Sequence, residues 1–496
     1  MVKENLSEIT VKNSLHQFIK ILISRVGGLI FSIILARMLL PNLFGIYSLA
    51  LSIVLIILTL TDLGVGGTLM RYISEALGKR NRILARSYFK YLVKLKGLLV
   101  SIAIIIVLIF AKILAINIFN KPLLFLPLVF ACLYILAASL SNFIANLVIC
   151  LKDIKKLSIL ELNLQVLRII FAFIALTILS TKYRVSGIFI SLALAYFFSF
   201  LLSLKLLNKD RNIIFGKTID IDKKRVFNFL KFASIGSISI LIFGAIDTLM
   251  LGYFVEASYL GFYRVAFGFV CAFSGLLSFS PILLPIFTQA NKERLKKGFN
   301  KTLRYTLILV IPVALGVVCV GKYFINFVYG VEYSLASIPL YVLSILVITF
   351  PLESLYSIIF SVKENPKFLA KILSIALVMN IVLNLIFIKF VFTNSIYIML
   401  GVAISTVCSR IFFLVIMIIK TRKAYGLKPK VNYLCKVLVA SGLMVGFLLL
   451  YNYLVDMNLF LGIVEVIIAG GIYFGMMFLL KGLTKEDVNI LKLLKK

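Results

Sequence analysis

The chain is poor in the residues that most enzymes use for chemistry. It has one histidine, His16, so a histidine-based metal centre or catalytic relay is not expected. Its six cysteines form no CxxC pair and lie in or beside apolar segments, which is typical of small buried side chains rather than disulfides or metal ligands. Nothing in the polar loops resembles a catalytic triad or a catalytic pair of carboxylates. We therefore expect a protein that is not an enzyme and has neither a metal site nor a cofactor.

Acidic residues are also scarce, with 19 Asp and Glu against 53 Lys and Arg and a net charge of +34. Nucleic-acid binding would need a separate basic domain, and the sequence contains none. The basic residues instead lie mostly between apolar segments, where they orient a membrane protein and meet anionic lipid. A nucleotide-binding loop is missing too, because Arg211 stands where the pattern that ends at Gly216-Lys217-Thr218 requires glycine. Uphill transport would then depend on an ion gradient, a partner or removal of the product.

Apolar sequence is abundant. Hydrophobic residues make up 62% of the chain and the mean hydropathy is +1.10. Apolar runs long enough to cross a bilayer as a helix recur throughout, so we predict an all-α polytopic membrane protein with about 14 transmembrane helices. Basic clusters follow the even-numbered spans, as in Arg71–Arg86 and Lys205–Arg225, and few basic residues follow the odd-numbered spans. The positive-inside rule then places both termini in the cytoplasm, with the protein in the cell membrane.

Two stretches of the chain are similar to each other. Leu35–Ala50 and Leu251–Ala266 share Leu, Gly, Tyr and Ala at the same four positions, and most other pairs are apolar in both. Each stretch links the first and second apolar spans of one half of the chain. This repetition indicates a duplicated membrane protein, and such proteins are usually transporters.

The span count divides the chain into two parallel six-helix repeats and two additional helices. Parallel repeats leave a cleft between the halves that can open to either side. Each added helix has a GxxxG spacing, Gly442/Gly446 and Gly471/Gly475, which either allows close helix packing or arises by chance. The predicted parts are an N-terminal bundle, a cytoplasmic linker, a C-terminal bundle, two further helices and a cytoplasmic tail, at residues 1–206, 207–228, 229–420, 433–481 and 482–496.

Charged residues within the spans are the candidate site, because they are costly in a bilayer unless they face a polar cavity or each other. Arg25 is the first candidate: it lies beside Gly27 and Gly28, and its guanidinium suits phosphate. Its alternative is an ion pair with an acid on a neighbouring helix. Lys20, Lys112 and Asp62 lie nearest an interface and fit simple snorkelling to the surface.

The remaining candidates each have a structural alternative. Asp247 and Arg264 lie on consecutive spans and either form an ion pair or contact a substrate. Glu161 and Arg168 are seven residues apart on one helix face, too far for a direct bond, so they find other partners or line the cleft together. Glu353 follows Pro351, and an acid beside such a break is either a cation or proton site or a satisfied carboxyl in a kinked helix.

The run Gly27–Glu75 resembles the opening of the polysaccharide-biosynthesis flippases, which belong to the superfamily that also includes multidrug exporters and the lipid II flippase. The resemblance is carried by LARMLLPNLFGIYSLA (Leu35–Ala50), DLGVGGTLMRYISE (Asp62–Glu75) and the segment Asp247–Ala266. It implies a V-shaped pair of six-helix bundles and a cationic cavity lined by Arg25, Arg37 and Arg264, with Asp247 beside them.

The resemblance also implies a substrate and a mechanism. A polyprenyl-(di)phosphate-linked oligosaccharide would cross from the cytoplasmic to the outer leaflet by alternating access, for surface polysaccharide or glycan assembly. H⁺ or Na⁺ would be the coupling ion, and glycan-assembly enzymes would be partners. Two alternatives remain: a cation-coupled multidrug exporter, which would need acids to dominate the cavity, and a membrane polymerase or glycosyltransferase, which would need larger loops than these.

Overall fold

The computed structural model describes residues 6–483 except 152, 209–215, 279–282, 284–286, 289–290, 364, 392, 428–432 and 456–457. The side chains of residues 6–18, 154, 231–242, 292, 366 and 459 also lie outside the described part. The side chain of His16, residue Arg211 and most of the predicted tail therefore fall outside it. Within the described residues every regular element is helical. The α-helices, in chain order, are α1 Leu6–Asp62, α2 Val65–Gly78, α3 Arg82–Lys112, α4 Phe125–Cys150, α5 Ile154–Ile178, α6 Arg184–Leu206, α7 Lys223–Phe254, α8 Ala257–Leu276, α9 Lys292–Val328, α10 Ser337–Leu343, α11 Leu346–Val362, α12 Pro366–Ile386, α13 Ser395–Tyr425, α14 Leu434–Leu454 and α15 Leu459–Leu479.

These helices confirm an all-α polytopic membrane protein. In the described part of the chain, 11 helical segments are long and apolar enough to cross a membrane, and the bent pair Val331–Leu343 and Leu346–Val362 adds a twelfth. The first segment contains two predicted spans, because α1 is broken at Leu40. The first span of the predicted C-terminal bundle corresponds to α7. Its part Phe243–Phe254 is a shorter apolar helix. Each predicted span thus has a helical counterpart.

The chain forms two compact units. The first unit consists of Met1–Arg264 with Asn384–Ile398, and the second consists of Val265–Leu383 with Met399–Lys496. The six-plus-six-plus-two division remains a prediction.

The break in α1 has a local cause. Proline cannot donate a backbone hydrogen bond, and it excludes the residue before it from helical geometry. Leu40 precedes Pro41 and has φ 60° and ψ 169°, a conformation that is strained for a leucine. The first two spans therefore meet at a sharp corner within the first unit.

The repeated stretches pack against each other at this corner. A Cβ atom added to Gly45 would overlap the backbone carbonyl of Ala257, and one added to Gly261 would overlap that of Pro41. Gly45 aligns with Gly261 in the repeat, and Pro41 aligns with Ala257. Each glycine thus contacts the first helical turn of the other copy, and the contact is reciprocal.

A second break separates α1 from α2. Leu63 and Gly64 have positive φ angles of 36° and 76°. Asp62 accepts hydrogen bonds from the backbone nitrogen of Gly66 at 3.3 Å and from Lys96 Nζ at 3.3 Å. Lys96 is only 4% exposed. The Asp62 side chain is 39% exposed, and it does more than reach the surface, because its carboxylate also bonds the first turn of α2 and pairs with a buried ammonium.

The described part of the predicted linker is docked on α3. Arg86 Nη1 donates to the carbonyl of Lys217 and Lys90 Nζ donates to that of Gly216, both at 2.8 Å. The backbone nitrogen of Ile219 donates to Ser87 Oγ at 2.9 Å. Basic side chains of α3, which the charge pattern predicts to lie on the cytoplasmic side, therefore hold the described part of the linker in place.

Lys121 lies in the short connection before α4 and caps the end of α7. Its ammonium donates to the carbonyls of Gly252 at 2.6 Å and Val255 at 3.1 Å. A cation at a helix C-terminus is favourable, because carbonyl groups there lack partners. Burial lowers the pKa of Lys121, against the opposing charge of Glu256. Lys121 is one of the few basic residues that follow an odd-numbered span, and its role is to cap the C-terminus of α7.

In the second unit a proline creates the anchor for α15. Pro312 lies inside α9 and has no N–H, so the carbonyl of Ile308 one turn earlier loses its helical partner. Tyr473 of α15, which is buried, donates its hydroxyl to that carbonyl at 2.6 Å.

The GxxxG spacings have no comparable role. A Cβ added to any of their four glycines, Gly442, Gly446, Gly471 and Gly475, would meet nothing within 4 Å. Close packing of α14 and α15 through these glycines is therefore not observed, although the two helices are in contact.

We expect Gly45→Ala and Gly261→Ala each to lower stability by about 1–3 kcal/mol, because the added methyl group overlaps fixed backbone rather than a movable side chain. Thermal unfolding in detergent measures this. Gly67→Ala and Gly268→Ala are matched controls, since a Cβ at either position meets nothing within 4 Å. Each control should leave stability unchanged or raise it by up to about 1 kcal/mol. Equal losses in all four variants would contradict the reciprocal contact.

Candidate functional site

Three polar side chains of α5 face the glycine pair of α1. Gln165 Nε2 donates to Glu161 Oε1 at 2.7 Å. A Cβ on Gly27 would lie 2.7 Å from Gln165 Oε1, and one on Gly28 would lie 3.5 Å from Arg168 Nη2. The space beside the two glycines is therefore occupied by α5.

The guanidinium of Arg168 is enclosed but incompletely bonded. Its Nε and Nη2 atoms are buried and have no hydrogen-bond partner among the described residues. Its Cζ atom lies 4.6 Å from the centre of the Phe31 ring, a cation–π contact that supplies no acceptor oxygen. A buried guanidinium with unused donors is suited to an anion with several oxygens, such as phosphate.

Tyrosines connect Arg168 to a second predicted cation. Tyr47 is buried and interacts electrostatically with both Arg168 and Arg264. Tyr134 and Tyr196 also interact with Arg168, and their rings pack at 5.4 Å. The structure thus brings Arg168 and Arg264, which are 96 positions apart, to one tyrosine-rich region of the first unit.

Asp247 is a buried acceptor beside this region. Its Oδ2 accepts from the Tyr263 hydroxyl and its Oδ1 from Asn384 Nδ2, both at 3.0 Å. Arg264 Nη1 lies 3.5 Å from Thr248 Oγ1, the hydroxyl next to Asp247 in the chain. Asp247 and Arg264 therefore lie close together, each with neutral hydrogen-bond partners.

Glu353 has a charged partner. Its Oε2 accepts from Arg410 Nη1 at 3.1 Å, between α11 and α13 of the second unit. The guanidinium of Arg410 lies 5.0 Å from the Phe350 ring centre. The other carboxyl oxygen, Oε1, is buried and has no hydrogen-bond partner among the residues that the structure describes. Glu353 thus matches the satisfied-carboxyl alternative at one oxygen, whereas its second oxygen is available.

The other two predicted arginines are more accessible. Arg25 is exposed and makes no hydrogen bond or ion pair with any described residue. It lies one helical turn before Gly28, so it shares a face with the glycine that contacts Arg168. Arg37 is also exposed and lies three residues before the break at Leu40.

Several partners were not identified from the sequence. Gln165, Thr248 and Asn384 are uncharged, so the cost of burying a charge does not point to them, although each contacts a charged candidate. Tyr47 and Tyr263 did give a signal, because they are the tyrosines shared by the two repeated stretches.

Comparison with known proteins places this fold in a family. The model of the family described as polysaccharide biosynthesis protein matches residues 10–291, which is more than half of the chain. A curated relative, the probable low-salt glycan biosynthesis flippase Agl15 of Haloferax volcanii, is 25% identical over 264 residues. That match covers 51% of this chain and 52% of the relative, so the chain spans about half the length of the curated protein it matches.

Solved structures show the same fold over nearly the whole chain. The lipid II flippase MurJ in an inward closed conformation has a TM-score of 0.72 at 18% identity, covering 95% of this chain and 98% of that one. An inward-facing multidrug resistance transporter of the MATE family has a TM-score of 0.63 at 13% identity, covering 82% and 94%. The resemblance seen in the sequence is thus confirmed, and this multi-pass membrane protein belongs to the polysaccharide biosynthesis protein family.

Proposed function

We propose that this chain is a flippase for a polyprenyl-(di)phosphate-linked oligosaccharide and moves it from the cytoplasmic to the outer leaflet. The family match, the glycan-flippase relative and the MurJ fold support this activity. The product would supply surface polysaccharide or glycan assembly, with glycan-assembly enzymes as partners. The chain itself would catalyse no bond formation.

The buried guanidinium of Arg168 carries the proposal. Two of its donor nitrogens lack partners, and burying such donors is costly unless a ligand uses them. A phosphate group offers acceptor oxygens in the bidentate geometry of a guanidinium. Arg264 would add a second cation through the shared tyrosine region, and the exposed Arg25 and Arg37 would attract the anionic head group.

The acids favour this function over multidrug export. A cation-coupled drug exporter would need carboxylates that dominate the cavity. Among the described residues Asp247, Glu161 and Glu353 each accept a hydrogen bond from a protein side chain. These acids therefore already have protein donors, whereas two donor nitrogens of Arg168 have no partner among the described residues, which favours an anionic substrate over a cationic drug.

Transport would follow alternating access between the two predicted six-helix bundles. The head group would cross within the protein while the lipid chain stays in the bilayer. H⁺ or Na⁺ would supply the energy, with Asp247, Glu161, Arg168 and the free oxygen of Glu353 as polar groups for coupling. The protein would lie in the cell membrane with both termini in the cytoplasm.

Loss of the cations should stop transport. We expect Arg168→Ala, Arg25→Ala and Arg264→Ala each to lower flipping of a fluorescent lipid-linked oligosaccharide in proteoliposomes by about ten- to a hundredfold. A charge-assisted hydrogen bond contributes roughly 1.5–3 kcal/mol, which corresponds to that range. Lys112→Ala is the control, because this exposed lysine lies at the end of α3.

Arg168→Ala also separates a binding role from a structural role. The Nε and Nη2 atoms of Arg168 donate to no described residue, so their removal leaves no described acceptor without its donor. The substitution should therefore change the free energy of unfolding by less than about 1 kcal/mol. Full transport by all three arginine variants would contradict the cationic site. A lower unfolding temperature for Arg168→Ala that accounts for its lost transport would show a structural role instead.

Orientation has a direct test. In a variant without native cysteines, Asn42→Cys should react with an impermeant thiol reagent added outside intact cells, and Lys79→Cys should react only after permeabilisation. Both positions are exposed, so access depends on the side of the membrane. The reverse pattern would overturn the proposed topology.

A further inference from the structure

One acidic side chain of the membrane region is buried without a hydrogen-bond partner in the described part of the chain. Glu465 lies in the first half of α15 and is 0% exposed. Neither of its carboxyl oxygens has a hydrogen-bond partner among the described residues. The flippase proposal assigns this residue no role.

Glu353 shows what a buried carboxylate in this protein requires. It is 6% exposed, and it is paired with Arg410 at 3.1 Å. A charged carboxylate without such a partner is very costly in an apolar interior, and a neutral carboxyl is much less so. Glu465 is buried without a described hydrogen-bond partner, so we expect its carboxyl group to be neutral and to carry a proton.

The helix that carries Glu465 is firmly held. Two turns further along α15, Tyr473 donates to the carbonyl that Pro312 frees in α9. This hydrogen bond fixes the face of α15 that meets α9, so Glu465 cannot turn towards water without breaking a buried contact.

Among the described residues, the titratable groups nearest Glu465 supply no positive charge. Cys319 of α9 interacts electrostatically with Glu465, and a thiol cannot act as a cation. The nearest lysine of α9, Lys322, is exposed.

The other basic groups on the packed helices act elsewhere. On α9, Arg304 donates to the carbonyl of Gly482, which follows the C-terminal end of α15, whereas Glu465 lies in the N-terminal half of α15. Lys301 lies one turn before Arg304 in the first part of α9. On α14, Lys436 donates to the Lys481 carbonyl at that same end. The remaining titratable side chains of α14 are Cys435, Tyr451 and Tyr453.

We propose that Glu465 is a proton-binding site, occupied while α15 is packed on α9 and emptied only when water reaches the carboxyl. A metal ion would require several oxygen ligands, and no cluster of three or more His, Cys, Asp or Glu side chains that could hold one lies in the described part of the chain. The proposal goes beyond the flippase function and stands independently of it.

Carbodiimide labelling locates the proton. Dicyclohexylcarbodiimide partitions into membranes and reacts with protonated carboxyl groups, and mass spectrometry identifies the modified peptide. Purified wild-type protein should be labelled at Glu465 at about pH 6, and labelling should decrease towards about pH 9. Glu465→Gln is the control, because it lacks the reactive carboxyl and should give no modified peptide at this position.

Thermal unfolding supplies the second measurement. A carboxyl that keeps its proton in the folded state and loses it on unfolding makes stability fall as the pH rises. The unfolding temperature of the wild type should therefore fall between about pH 5 and about pH 8 by more than that of Glu465→Gln. At one pH, Glu465→Gln should be as stable as the wild type or more so, whereas Glu353→Gln, which leaves Arg410 without its carboxylate, should be less stable.

Two results would overturn the proposal, and both are independent of any transport assay. Parallel pH profiles for the wild type and Glu465→Gln would show that the carboxyl holds no extra proton, whatever the labelling shows. A rise in unfolding temperature with Na⁺ in the wild type, absent in Glu465→Gln, would show that a metal ion occupies the site instead.

Discussion

The interior of a bilayer offers no hydrogen-bond partner, and this constraint explains most of the polar contacts in the structure. The carbonyl freed by Pro312 is bonded by Tyr473, and the buried ammonium of Lys96 is paired with Asp62. Asp247 has two neutral donors. Against this background the incompletely bonded groups are informative, because Arg168 and Glu465 have buried polar atoms for which the described protein provides no partner. They are where a ligand is expected, an anion at the arginine and a proton at the acid.

The two similar stretches combine shared packing residues with different charges. Gly45 and Gly261 share one task, the close backbone contact at the corner of each copy. The paired tyrosines differ, since Tyr47 lies between two arginines and Tyr263 donates to Asp247. Arg264 aligns with Ser48 in the other stretch, so the two stretches share packing residues and differ in their charges. The backbone contacts define the corner, and the unshared charges define its chemistry.

Part of this arrangement could be predicted and part could not. The spans followed from hydropathy, because twenty apolar residues in a row have few alternatives to a membrane helix. The charged candidates followed from their cost in lipid. Their partners did not follow, since Asn384 is 137 positions from Asp247 and Arg410 is 57 from Glu353. The pairing of Asp62 with Lys96 was missed for the same reason, because Lys96 is 34 positions away and its burial is not visible in the sequence.

The sequence by itself determined that this protein is helical, embedded in a membrane and rich in cations, because length, hydropathy and charge are properties of each segment alone. Only the tertiary structure decided which charges are neutralised and which are available. Partners meet across helices that are distant in the chain, and helix packing selects the face that each side chain presents. Arg168 and Arg410 have similar apolar surroundings in the sequence, yet Arg410 has a carboxylate on the neighbouring helix and Arg168 has an aromatic ring.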